Sequence, residues 1–167
     1  MKILHISDLH LVSTGDRKDY QNHIRERFIS FIKQIADEKS SAIGIRIDHI
    51  IITGDLRDNK TDVKADSVQM VDFVCDFVNE VMDATGVHNV QKVHIVPGNH
   101  DLDRVGSAST WEKKNSQFNL FFWPFCDKFY GVNNNPWRKN DGYRYCPFLE
   151  NESTNGKNEK EKVGFII

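Results

Sequence analysis

Three short polar clusters carry the residue types that bind metal ions and move protons: Ser-Asp-Leu-His at 7–10, Gly-Asp-Leu-Arg-Asp at 54–58, and Gly-Asn-His-Asp at 98–101. Each lies at the end of a short apolar run, "KILHIS", "DHIIIT" or "KVHIV". The donors are imidazole, carboxylate and amide oxygen with no thiolate, a set that suits Mn, Fe or Zn and argues against a dedicated calcium cage. Asp8 and His10 are two residues apart. Extended backbone continuing past Ser7 would turn both side chains to one side, as two ligands of one ion require. Asp55 follows Gly54, and Asn99 and His100 follow Gly98; these glycines let the chain turn sharply and present the polar groups. A carboxylate such as Asp55 can bridge two ions about 3.5–4 Å apart, the spacing at which two metals activate water and clamp a phosphoryl group for in-line attack. The chemistry indicated is phosphoester hydrolysis.

The elements that must position these groups are legible as periodicities. "KILHIS" reads as a strand, and after a loop the residues Ile24, Phe28, Phe31, Ile32 and Ile35 recur at the spacing of one apolar helix stripe. "DHIIIT" is a near-continuous apolar run, which suits a strand buried on both faces. Val71, Val74, Cys75, Val78 and Met82 predict a second amphipathic helix, with Gly86 as its stop. "KVHIV" is the third strand, ended by Pro97 and Gly98. The order β-α-β-α-β implies an α/β fold with a parallel sheet and right-handed crossovers. All three polar clusters then emerge at one carboxyl edge, where such sheets place their ligands. Further on, Trp111, Phe118, Phe121, Phe122, Phe125 and Phe129 predict an aromatic helical region, interrupted or restarted at Pro124. Such a stripe is more often core or interface than a platform for stacking bases. Residues 131–162 are rich in Asn, Lys, Glu and Gly and read as loop, and "VGFII" closes the sequence as a strand-like segment.

Bulk properties narrow the classes. The 167 residues, 39% hydrophobic and 28% charged, give one domain a sizeable core. A net charge of -2 supplies no global attraction to nucleic acid or anionic membrane, although nucleic acid is not excluded as a partner through a local basic patch. Cys75, Cys126 and Cys146 are widely spaced and odd in number, which favours reduced thiols. The amino terminus turns polar too early for a signal peptide and no apolar run reaches membrane-spanning length, so a cytoplasmic protein with no membrane partner is expected.

Taken together, Asp-Leu-His, Gly-Asp-Leu-Arg-Asp and Gly-Asn-His-Asp, in this order and each closing a strand, resemble the first three motifs of the calcineurin-like metallophosphoesterase family. The resemblance implies divalent metal cofactors, up to two ions, with Asp8 and His10 on the first, Asp55 bridging, and Asn99 on the second. It implies that His100 contacts the phosphoryl group or protonates the leaving oxygen, and that Asp101 orients the His100 ring. The family pattern continues with a further histidine segment and a Gly-His-x-His motif, whereas all seven histidines here fall at or before His100. The family fold is a two-sheet sandwich. The expectation is therefore a βαβαβ half of that sandwich with the second sheet largely missing. Residues 1–130 would form the N-terminal part of the domain, and 131–167 a polar loop or tail. The expected function is metal-dependent hydrolysis of a phosphomonoester or phosphodiester, a nucleotide being one candidate, by a truncated or incomplete form. The alternative is a catalytically incomplete half-domain that acts through association with a missing partner segment. Self-association through an exposed apolar sheet face is a further expectation. Arg57 reads either as a phosphate contact or as a solvated side chain, Asp58 as pocket or salt-bridged rim, and His5, His23, His49, His88 and His94 as structural.

Overall fold

The computed structural model describes residues 1–13, 17–36, 45–58, 67–101 and 121–138. Three strands, β1 (Ile3–Ser7), β2 (His49–Thr53) and β3 (Val93–Val96), form a parallel sheet in the order β1-β2-β3. Ile3 stands opposite His49, and Ile50 opposite Val93. The helices α1 (Arg17–Ala36) and α2 (Ser67–Thr85) fall between successive strands, which is the expected βαβαβ order. One apolar cluster joins Ile6, Ile50, Ile52, Val93 and Ile95 from the sheet to Ile29 and Ile32 of α1 and to Val74, Phe77, Val78 and Val81 of α2.

β2 departs from the expectation of burial on both faces. Its burial alternates: Ile50 and Ile52 are fully buried, while His49, Ile51 and Thr53 are half-buried. The less covered face also carries Ile3, His5 and Ser7, all exposed. The His5 ring lies 2.7 Å from Thr53 Oγ1, and His49 Nδ1 lies 3.2 Å from His94 Nε2. A run of three isoleucines thus hid a one-sided strand, because β-branched residues suit either face of a pleat.

His94 is buried on β3, and loss of solvation pushes its pKa down from 6.5 to about 4, with His49 adding to the shift. The folded protein therefore holds His94 neutral where the unfolded chain would take a proton. The stability this contributes is complete above about pH 6.5 and is lost as pH falls toward about 4, at a cost on the order of 2 kcal/mol. Urea unfolding of wild type and His94→Gln across this window should show the steeper acid loss in wild type. Parallel curves would refute this role for His94.

The α2 expectation holds in detail: Val71, Val74, Cys75, Val78 and Met82 are all buried. Gly86, at φ +72°, ends the helix, and Val87 N–H donates to the Met82 carbonyl at 3.1 Å to close the terminus. The α1 stripe is rotated from its expected face. Ile29 and Ile32 are buried and Phe28 stacks on Phe77, whereas Ile24 and Phe31 are 48% and 58% exposed. Arg25 shares the inward face, donating twice to Glu80 of α2 at 2.8 and 2.6 Å with its guanidinium over Phe73. Such a bidentate pair over an aromatic ring is tied to one geometry and fixes which face turns in.

A third helix, α3 (Phe122–Tyr130), carries Pro124 in its first turn, where no intrahelical N–H is required. Phe121, Phe122 and Phe125 are fully buried, α3 packs on α2, and Tyr130 Oη donates to the Val93 carbonyl at 2.8 Å. This part of the aromatic region is core. Trp111, Phe118 and "VGFII" lie outside the described residues. Cys75 and Cys126 are buried free thiols; burial pushes Cys75 up to about 12 and raises Cys126 as well, which makes both poor nucleophiles. No helix among the described residues is long and apolar enough to cross a membrane.

Candidate metal centre

The three polar clusters leave the carboxyl ends of β1, β2 and β3 and stay bound to one another beyond the sheet. Gly54 N–H donates to the Val96 carbonyl at 2.8 Å, His10 N–H to the Asp55 carbonyl at 2.8 Å, and Leu11 N–H to the Leu56 carbonyl at 2.9 Å. Extended backbone does not persist past Ser7, as the spacing argument assumed. Asp8, His10 and Asp55 instead adopt φ of 55°, 45° and 52°, and they are the non-glycine residues with positive φ among those described. Left-handed backbone costs an ordinary residue on the order of 1 kcal/mol and survives where surrounding bonds impose it, most often at functional sites. All three strained positions belong to one cluster of potential ligands.

Gly54 and Gly98 explain how the second and third loops approach. Gly54 has φ +78°, and its Cα faces Gly98 so closely that a Cβ on Gly98 would lie 2.8 Å from it. The same Cβ would fall 2.2 Å from Asp55 Oδ1 and 2.3 Å from Asp55 N. The contact allows His100 N–H to donate to Asp55 Oδ1 at 2.9 Å, and Asp55 Oδ2 lies 3.8 Å from His10 Nε2. One carboxylate therefore joins the third loop with one oxygen and faces the first loop with the other.

Ligand atoms of Asp8, His10 and Asp55 lie within 4.8 Å of one another, and so do those of His10, Asp58 and His100. An ion with bonds of about 2.0–2.2 Å to nitrogen and oxygen fits between such atoms after a small closure. The mixed donors without thiolate suit the divalent ions named above, so the residues present fit a metal of that class. Asp55 is 13% exposed at its side chain and His10 is 39% exposed, which leaves an ion open to an incoming ligand. Asn99 is exposed at the head of the third turn.

His100 packs edge-on against the His10 ring, centroids 4.7 Å apart. Beside its Nδ1, at 3.8 Å, is Oδ1 of Asp58, a side chain only 10% exposed. Asp101, expected at the His100 ring, is fully buried and directs its oxygens to backbone instead: Oδ2 accepts from Gly98 N–H at 2.8 Å and Oδ1 from Arg57 N–H at 3.2 Å. Burial raises the Asp101 pKa, and hydrogen bonds from Gly98, Leu56 and Arg57 oppose that rise. Arg57 is neither solvated nor open to solvent; it is buried with its guanidinium over Phe121. No local signal in the sequence separates Asp58 from Asp101: Asp58 N–H donates to the Leu11 carbonyl, a tertiary contact that brings it beside the first loop.

The family model described as calcineurin-like phosphoesterase matches residues 1–162. A relative from Bacillus subtilis (strain 168), the uncharacterized metallophosphoesterase-like protein YydB, is 29% identical over 108 residues, which cover 62% of this chain and 18% of that protein. The chain thus matches less than a fifth of the length of that curated relative. Among the described residues, a three-stranded parallel sheet with three α-helices, its strand ends carrying Asp and His groups able to hold a divalent ion, is consistent with a metallophosphoesterase fold. The chain belongs to the calcineurin-like phosphoesterase family.

Proposed function

We propose that this chain carries the first metal site and the proton-donating group of a metal-dependent phosphoesterase. The observation that supports it most is the meeting of Asp8, His10 and Asp55 at the strand ends, all three on strained backbone. In this reading Asp8, His10 and Asp55 hold one Mn, Fe or Zn ion, and Asp55 with Asn99 faces a second. The metal, when bound, supplies Lewis-acid activation of water and charge neutralisation on the phosphoryl oxygens. His100 delivers a proton to the leaving oxygen. Asp58, whose Oδ1 lies 3.8 Å from Nδ1, holds the ring in the orientation this requires. Asp101 acts on the loops rather than on the ring.

The substrate in this reading is a phosphomonoester or phosphodiester, a nucleotide being one candidate. The second reading, a half-site that acts after association, is favoured by one observation: the sheet face that carries Ile3, His5 and Ser7 is exposed. Association would use the less covered sheet face, and a monomer on size-exclusion chromatography would count against it.

The test is Mn-dependent hydrolysis of bis-p-nitrophenyl phosphate and p-nitrophenyl phosphate, with Mn binding followed in parallel. Asp55→Asn should bind Mn about tenfold or more weakly and lose turnover. His100→Ala should keep binding and lose turnover by about 100-fold or more, the usual contribution of a positioned proton donor. Equal turnover in wild type and His100→Ala would remove His100 from the mechanism.

A further inference from the structure

Arg57 occupies the third position after Gly54, yet it contacts every part of the site scaffold. Its backbone forms an isolated parallel bridge with Leu11 of the first loop. Its N–H donates to Asp101 Oδ1 of the third loop at 3.2 Å. Its side chain, in a residue only 4% exposed, donates from Nε to the His100 carbonyl at 3.1 Å and lays the guanidinium 4.6 Å from the ring centroid of Phe121, at the start of α3. Phe121 is itself fully buried.

The backbone of His100 is therefore held at both ends: its N–H by Asp55 Oδ1 at 2.9 Å and its carbonyl by Arg57 Nε at 3.1 Å. With both peptide groups fixed, the direction of the imidazole depends on its side-chain torsions alone. That fixed base sets the ring against His10, centroids 4.7 Å apart. Phe121 matters because the guanidinium carbon lies over its ring, 4.6 Å from the centroid, an attraction that keeps the head group where Nε reaches the His100 carbonyl.

We infer that Arg57 is a positioning residue that uses the Phe121 ring of α3 as its support to hold His100 in place beside His10 and Asp58. This deepens the phosphoesterase reading, since His100 is the proton donor there, but the geometry it asserts is independent of any turnover. Arg57 acts from behind the site, through the His100 carbonyl, and its buried guanidinium is not the phosphate ligand that an arginine in this motif suggests.

The experiment uses the full chain, metal-free, and measures the cross-relaxation between the His10 and His100 ring protons by NMR. The His49–His94 contact, ring centroids 5.4 Å apart at the other end of the strands, serves as the internal reference. Wild type should show both cross-peaks. Arg57→Met and Phe121→Leu should weaken the His10–His100 peak by about threefold or more relative to the reference, because freeing a fixed group by even about 1 Å disrupts such alignment. Arg57→Lys, which keeps the charge and most of the stem, protects the test against a folding defect in Arg57→Met. It should restore the reference peak fully and the site peak only in part, since an ammonium lacks the planar fork. Where the chain hydrolyses phosphodiesters, Arg57→Lys should lower kcat by about tenfold with KM within about twofold, as expected for a group that acts only in the reacting complex.

An undiminished His10–His100 peak in Arg57→Met and Phe121→Leu overturns the inference, and so does its absence from wild type. A chain that shows the predicted loss of the peak but no hydrolysis would uphold the positioning role and count against the phosphoesterase reading. The two failures are thereby told apart.

Discussion

Gly98→Ala is expected to weaken divalent-metal binding strongly in a chain that still folds. The added Cβ would fall 2.2 Å from Asp55 Oδ1 and 2.3 Å from Asp55 N, and the second of these is backbone that cannot swing away. The second and third loops must separate, and the His100 N–H that donates to Asp55 Oδ1 at 2.9 Å goes with the third loop. Asp55 then loses a bond that fixes its rotamer, and its Oδ2 is no longer held 3.8 Å from His10 Nε2. Metal affinity should fall by about 100-fold, the upper range for loss of a group that orients a ligand. Stability should fall by about 2 kcal/mol, typical of overpacking in a closed site. Isothermal titration with Mn and urea unfolding measure the two effects. Wild-type affinity in this variant would mean that the approach of Gly54 to Gly98 does not set the ligands.

Asp101→Ala should be the most destabilising polar substitution in the site. The carboxylate is fully buried and accepts from Gly98 N–H at 2.8 Å and Arg57 N–H at 3.2 Å, with a further hydrogen bond from Leu56. Alanine leaves those donors buried without acceptors, at about 1–3 kcal/mol for each. A loss of about 3–4 kcal/mol in urea unfolding is expected once partial relaxation is allowed. Asp101→Asn should be intermediate, because one amide oxygen still accepts while the amide nitrogen faces a donor. Were Asp101 mainly an orienter of the His100 ring, alanine would cost activity with little stability. The opposite order of effects is expected.

Much of the scaffold was legible because it depends on local pattern. The strand–helix order, the buried face of α2 and its end at Gly86 follow from period and stop signal, and these need no knowledge of tertiary partners. The meeting of three clusters at one edge followed from parallel topology alone, since every strand of such a sheet points the same way. What escaped was decided by packing. α1 offers more apolar residues than its contact face can take, and the Arg25–Glu80 pair, with sequence separation 55, chooses the face that leaves Ile24 and Phe31 exposed. The left-handed turns at Asp8 and His10 are imposed by hydrogen bonds to Gly54 and Asp55, invisible in a segment without glycine. The inward turn of Arg57 escaped for the same reason: the bridge from Leu11 to Arg57 keeps the β1–β2 register beyond the Ser7–Thr53 pair and buries a side chain that looks exposed in sequence.

The central claim is that Asp8, His10 and Asp55 hold a divalent cation, and Mn titration of the chain by calorimetry tests it most directly. Saturable binding near one ion per chain, weakened by about tenfold or more in Asp55→Asn, is the predicted result. A folded wild-type chain that takes up no Mn, Fe or Zn, or an Asp55→Asn variant that binds as tightly as wild type, would contradict it.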